Sequence, residues 1–314
     1  MLISQALQIF LAEKQIQGAE KRTLDNYIRV IGYFISFAGD LDIEDVTSDH
    51  IKAYTAYLLQ KQSCRHFVKH EQPTVSRSTV RTYLTHVRSF FNYLYAEEYM
   101  QAKIFERIKL PKEKRQEVEI LLPDEIPKLW AYFGKGEQGQ RYRAFICLLL
   151  DTGIRRSEAI NATLQDVNID RAEMLLRDTK SGHQRIVPLG HLTRLELMKY
   201  IMKYRYASTG DRDSLFTMNG GVPITTDAIK SLFMRLSKYM GRRVYPHLLR
   251  HTFATLYLAQ YGDVYSLKQI LGHSSINMTN KYLQMANRIR VSDRSLMDDI
   301  SKTRKINGLK NRHF

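Results

Sequence analysis

The stretch YPHLLRHTFATL, Tyr245–Leu256, reads as the opening of a helix. Pro246 suits a first turn, because the N–H it lacks is one that a helix start leaves unbonded anyway. On that helix His247 and Arg250 are three residues apart and share a face. Two basic side chains at a helix N-terminus oppose the macrodipole unless an anion sits there. Taken alone, the pair is open to two readings, a solvated surface pair or a built anion site.

Three further segments hold polar residues that a plain fold does not require. In DTGIRRSEA, Asp151–Ala159, Gly153 permits a tight turn into a new helix, with Arg155 or Arg156 at the turn. Arg155 also precedes Glu158 by three, an ordinary ion-pair spacing. In LGHSSINMTNKYLQM, Leu271–Met285, Gly272 closes one helix, His273 sits in the turn, and Ser274 or Ser275 can cap the next. Tyr282 is then expected two turns along that helix. Glu173 to Leu189 reads as a hairpin of MLLRD and RIVPL around Thr179–Gln184, TKSGHQ, with glycine in the bend and Lys180 in the turn. Two arginines, two histidines, a lysine and a tyrosine together supply an anion clamp, proton-transfer groups and an oxygen nucleophile. No acidic cluster suggests a metal and no Gly-x-x-x-x-Gly-Lys loop cradles a nucleotide, so neither metal nor cofactor is expected.

Composition supports an anionic partner. The 314 residues carry 48 lysines and arginines against 32 acidic residues, a net charge of +16, and nucleic acid is the first partner to expect. Residues 1–115 hold 17 basic and 13 acidic residues, so most of the excess lies beyond them. At 44% hydrophobic and 25% charged the chain can bury a core, which excludes wholesale disorder. Its longest apolar run, Ala144–Leu150, is far short of the roughly 20 residues that span a bilayer, so no membrane association is expected. No secretory signal is read at the N-terminus, and two cysteines, Cys64 and Cys147, form neither a disulfide framework nor a zinc site. A cytoplasmic location follows.

The chain divides near Lys109–Val118, KLPKEKRQEV, which has a proline, six charged residues and little to enter a core. Before it, Val80, Leu84, Val87, Phe91 and Leu94 recur at helical spacing, an apolar stripe. Arg77, Arg81 and Arg88 run beside the stripe, as a row that follows a phosphate backbone or as a solvated face. Thr23–Tyr27 and Thr79–Tyr83 each begin Thr-x-x-x-Tyr before an aromatic-rich stretch, an echo that two similar helical hairpins would explain. Gln60 to Ser78 reads as a loop. After the boundary the pattern is mixed α and β: Pro123-Asp124-Glu125 starts a helix, Arg143–Leu150 forms another, and helix returns from Thr225.

The ordered series TGIRRSE, TKSGHQRIVPL, HLLRHTFAT and LGHSSINMTNKY resembles the tyrosine recombinase (phage integrase, Xer-like) family over nearly the whole chain. The resemblance implies a mainly α fold with a small β-sheet in the C-terminal domain (α+β), arranged as a two-domain DNA clamp. Residues 1–110 would be a helical, SAM-like core-binding domain, 111–118 a linker, 119–290 the catalytic domain, and 291–314 a tail exchanged between subunits. It makes Arg155 and Arg250 the clamp arginines, Tyr282 the nucleophile, His247 the base, His273 a donor, and Lys180 the acid that protonates the leaving oxygen. The implied reaction cuts and rejoins duplex DNA through a 3′-phosphotyrosyl intermediate without metal or ATP. The implied partners are a double-stranded target site and a homotetramer on two duplexes, associated with the nucleoid when bound. The early start of the helical pattern leaves an extra arm-binding domain unexpected and a short target site expected. Two positions depart from the family pattern: Leu248 stands where many members have aspartate, and Asn161-Ala162-Thr163 is unusually polar. A type IB topoisomerase and a non-enzymatic DNA-binding protein are the rival readings. The LGH motif and the helical first half favour the recombinase over the first, and the full set of six polar residues favours an enzyme over the second.

Overall fold

The computed structural model of the chain describes residues 1–62, 74–112, 118–177 and 184–293. Two compact units emerge, residues 1–116 and 117–314. Lys180 and the turn around it, and the tail beyond Asp293, lie outside the described residues.

The first unit is built from helices α1 (Ile3–Ile16), α2 (Lys21–Ala38), α3 (Ser48–Gln60) and α4 (Arg77–Ala96). Ser76 starts α4 by accepting from the Thr79 N–H at 3.2 Å, satisfying a donor that a helix start leaves open. The stripe of Val80, Leu84, Val87, Phe91 and Leu94 is buried, and Phe90 joins it. Phe10 of α1 meets Tyr27 of α2 and Phe90 of α4 edge to face, while Phe34 does the same with Tyr54 and Phe91. The echoing stretches become α2 and α4, which pack directly on each other. In the arginine row Arg77 is exposed, and Arg81 donates to the Pro111 carbonyl at 3.1 Å, tying α4 to the chain that leaves the unit.

The second unit contains α5 (Glu125–Ala131), α6 (Glu137–Thr152), α7 (Arg156–Asn161), a three-stranded antiparallel sheet, and α8 (His191–Lys203) to α13. Strands β2 (Glu173–Arg177) and β3 (Gln184–Pro188) pair with Leu175 opposite Ile186, so Gln184 belongs to the strand rather than the turn. A two-residue strand β1 (Val167–Asn168) completes the sheet; it is too short to leave a periodic signal. Helix α6 begins six residues before the Arg143 start expected from sequence, because its first turns carry Gln140, Arg141 and Tyr142 into the interior.

Helices α9 (Thr226–Met240), α10 (Pro246–Tyr261), α11 (Val264–Leu271), α12 (Asn277–Asn280) and α13 (Leu283–Asp293) follow. The main core takes Leu148 and Leu149 from α6, Leu197 and Tyr200 from α8, Met174 and Leu176 from β2, and Leu248 and Leu249 from α10. Leu248 is therefore a core side chain in this protein. A smaller cluster joins Ala254 and Leu258 of α10, Leu267 and Leu271 of α11, Ala286 of α13, and Tyr282. Tyr282 is not two turns into a helix: α12 is a single turn with Ile276 in the N-cap position, where Ser275 Oγ accepts from the Asn277 N–H at 3.3 Å, and Tyr282 falls in the break before α13.

Candidate active site

Three helix ends meet at the site. Helix α6 stops because Gly153 adopts a left-handed conformation (φ 61°), and α11 stops the same way at Gly272 (φ 63°). A helix end leaves carbonyls without intrahelical partners and carries partial negative charge. Arg250, one turn into α10 and 4% exposed, answers both ends. It donates to the Gly153 carbonyl at 2.7 Å and to the Leu271 carbonyl at 2.8 Å. Arg155, the N-cap of α7, donates to the next carbonyl, Gly272, at 3.0 Å and pairs with Glu158 at 3.0 Å. The ordinary Arg155–Glu158 ion pair is thus present, and the guanidinium still turns toward the α11 end. Burial, with the Arg155 charge close by, brings the Arg250 guanidinium down to about 10. With Glu158 shared between Arg155 and Arg185, the three guanidiniums and one carboxylate leave a net positive charge that favours an anion.

The histidine of the LGH turn completes this side. His273 is 7% exposed, and its Nδ1 hydrogen-bonds the Thr279 hydroxyl at 2.8 Å, which fixes the ring. Burial first, then the charges of Arg250, Lys281, Arg155 and Arg185, bring it down to about 4, so the ring is neutral at pH 7. It lies nearly parallel to the Tyr282 ring, 6.5 Å between centroids at 14°.

Tyr282 is 1% exposed and packed in the smaller core, and Lys281 places its ammonium 4.9 Å from the ring centroid. Burial pushes the phenol up to about 12, with Arg250 pulling the other way. Its hydroxyl shares a 2.9 Å hydrogen bond with Nδ1 of His251. Burial, then Lys281, His247 and Arg250, lower that imidazole to about 4. It is therefore neutral at pH 7, and it accepts from the phenol in the tautomer whose proton lies on Nε2. His247, assigned as base from the sequence, is exposed on α10 and stacks on the far partner, His251, at 6.3 Å. The structure thus gathers Arg155, Arg250, His273 and Tyr282, sets His247 one ring away, and leaves Lys180 outside the described residues. His251 was missed. The signal available was its spacing, four residues after His247 on the same helical face. Among the described residues no group of three His, Cys, Asp or Glu is placed to hold a metal ion, and no helix is long and apolar enough to cross a membrane.

This arrangement of cations around a tyrosine is accompanied by family-level similarity. The chain belongs to the phage integrase family: residues 119–288 match that family, and residues 4–113 match the phage integrase SAM-like domain. Tyrosine recombinase XerA of Saccharolobus solfataricus is 30% identical over 270 residues, covering 86% of this chain and 84% of that protein. Tyrosine recombinase XerC of Bacillus subtilis is 27% identical over 289 residues, 89% of this chain and 91% of its own. In fold, the chain is similar to a lambda integrase (75–356) dimer bound to a COC' core site, with TM-score 0.71 and 19% identity over 90% of this chain and 95% of that one. The Tn1549 transposon integrase in complex with circular intermediate DNA gives TM-score 0.71 at 21% identity, covering 88% and 94%.

Proposed function

We propose that this tyrosine-type site-specific recombinase exchanges DNA strands by two transesterifications at Tyr282. The observation that carries the reading is the burial of one phenol beside a guanidinium pair that is anchored on helix-end carbonyls, of which only Arg155 is ion-paired, to a Glu158 that it shares with Arg185. A backbone phosphate bound there receives hydrogen bonds from Arg155, Arg250 and His273, groups that meet charge as it develops without reorganising. Tyr282 Oη bonds to phosphorus and the bond to the 5′-oxygen breaks, leaving a 3′-phosphotyrosyl enzyme. The phenol's proton passes to an imidazole, and the leaving oxygen takes one from Lys180. Attack by a 5′-hydroxyl of another duplex reverses the step, and the phosphoester energy is kept in the covalent link.

His251 already holds the phenol's proton by hydrogen bond, which makes it the nearer acceptor, with His247 stacked behind it. A gap between about 12 for the phenol and about 4 for the imidazole keeps that proton on oxygen until a phosphate arrives. A bound anion offsets the cations that depress His251 and restores its basicity. Exchange between two duplexes requires four such sites, hence a homotetramer. The protein acts in the cytoplasm, on nucleoid DNA.

The test is Tyr282→Phe on a nicked suicide duplex. The variant is expected to bind DNA as the wild type does and to form no covalent adduct on a denaturing gel. An adduct from the variant would assign the nucleophile elsewhere.

A further inference from the structure

Arg185 lies on β3, within the TKSGHQRIVPL segment but without an assigned role there, and its side chain ends at the clamp. Its Nε donates to the Ile270 carbonyl at 2.8 Å, and its Nη2 pairs with Glu158 Oε2 at 2.9 Å. Three arginines therefore take three consecutive carbonyls at the end of α11: Arg185 at Ile270, Arg250 at Leu271 and Arg155 at Gly272. The fit is close at Gly272, where a Cβ would stand 2.9 Å from Arg185 Nη1.

Charge gives Arg185 a second consequence. Glu158 faces Arg155 with one oxygen and Arg185 with the other. Burial alone would raise the Glu158 carboxyl, but the hydrogen bond and charge of Arg185, then those of Arg155, outweigh it and keep it ionised. Without Arg185, the carboxylate and Arg155 would form a neutral pair, and the clamp would lose one of its two net positive charges.

We propose that Arg185 is a positioning residue for strand cleavage: by engaging Glu158 and the Ile270 carbonyl it leaves Arg155 a net cation toward the scissile phosphate and holds the Leu271–His273 turn in place. The proposal rests on the reading of Arg155 as a phosphate ligand, and the wild-type protein tests that reading first. Failure of the wild type to form an adduct on a suicide duplex overturns the reading itself, before any variant is compared.

Given wild-type cleavage, Arg185→Gln is expected to slow single-turnover adduct formation by about 10- to 100-fold, less than loss of a donor that touches the phosphate. DNA affinity, shared over many phosphates, should stay within about threefold. The same comparison is then made on a duplex whose scissile phosphate has a methyl group in place of one non-bridging oxygen and so carries no charge. There the variant should approach the wild-type rate, and Arg185→Gln combined with Glu158→Gln should recover about tenfold on the ordinary duplex. An equal deficit on both substrates, or no recovery in the double variant, would show a brace and nothing more, and would overturn the proposal. If Arg185→Gln does not fold, Arg185→Lys decides alone. It keeps the charge and loses one of the two contacts, so it must cleave within about fivefold of wild type, and a larger loss overturns the charge account.

Discussion

Nδ1 of His251 stands 2.9 Å from the phenolic oxygen of Tyr282, across 31 residues of chain. His247 lies one helical turn before it, its ring stacked on that of His251 at 6.3 Å. The order of effects follows. His251→Ala is expected to lower the rate of adduct formation by about 100-fold, within the usual range for a proton-transfer group, and His247→Ala by less. Rapid-quench cleavage of one suicide duplex by both variants checks this. The reverse order would return the role of base to His247.

The buried His273 and the half-buried His251 also predict how stability responds to acid. His273 and His251 titrate near 4 in the folded protein against an ordinary value of 6.5. Between those values the unfolded chain takes up protons that the folded chain refuses, so stability falls as pH drops from about 6.5 to about 4 and changes little above that window. The contribution of His273 is about 3 kcal/mol at most. Urea midpoints of the DNA-free protein at pH 7.5 and 4.5 measure it, and His273→Gln should flatten the decline. An unchanged slope in that variant would contradict the burial seen for this ring.

The parts of the fold that were legible in the sequence are those set by local rules. The Val80–Leu94 stripe could bury only one face of a helix, and Pro246, Gly153 and Gly272 mark a start and two stops that depend on their own backbone conformations. The polar residues of the site were visible because nothing in a helix or turn requires them. What could not be read depends on distant packing. The four-residue α12 strands Tyr282 between helices because its ring is drawn into the cluster with Leu258 and Leu271. His251 and Arg185 look like ordinary neighbours in sequence, and acquire meaning only when α10, α11 and β3 are brought together.

Glycine substitutions separate backbone strain from crowding. Gly153 and Gly241 both terminate helices at positive φ, 61° and 71°. A Cβ at Gly241 meets nothing within 4 Å, whereas at Gly153 it would stand 2.3 Å from Phe253 Cδ1 and 2.9 Å from Leu271 Cδ2. Gly241→Ala should cost about 1–2 kcal/mol for the left-handed conformation alone. Gly153→Ala adds overpacking of about 1–3 kcal/mol and displaces the carbonyl that Arg250 holds. Urea denaturation should rank them in that order, and at a temperature where both stay folded only Gly153→Ala should slow cleavage.

The arginine row on α4 divides by what each guanidinium already holds. Arg81 donates to the Pro111 carbonyl, so Arg81→Ala should cost the first unit about 1 kcal/mol of stability. Arg77 is exposed and Arg88 partly so. If these two meet phosphates, each alanine variant should weaken binding equally on target and unrelated duplexes and reduce the slope of log affinity against log salt by about 1. Fluorescence anisotropy across a salt series measures both quantities. A loss confined to the target duplex would mean that these arginines read bases, and an unchanged slope would place the DNA path away from this face of α4.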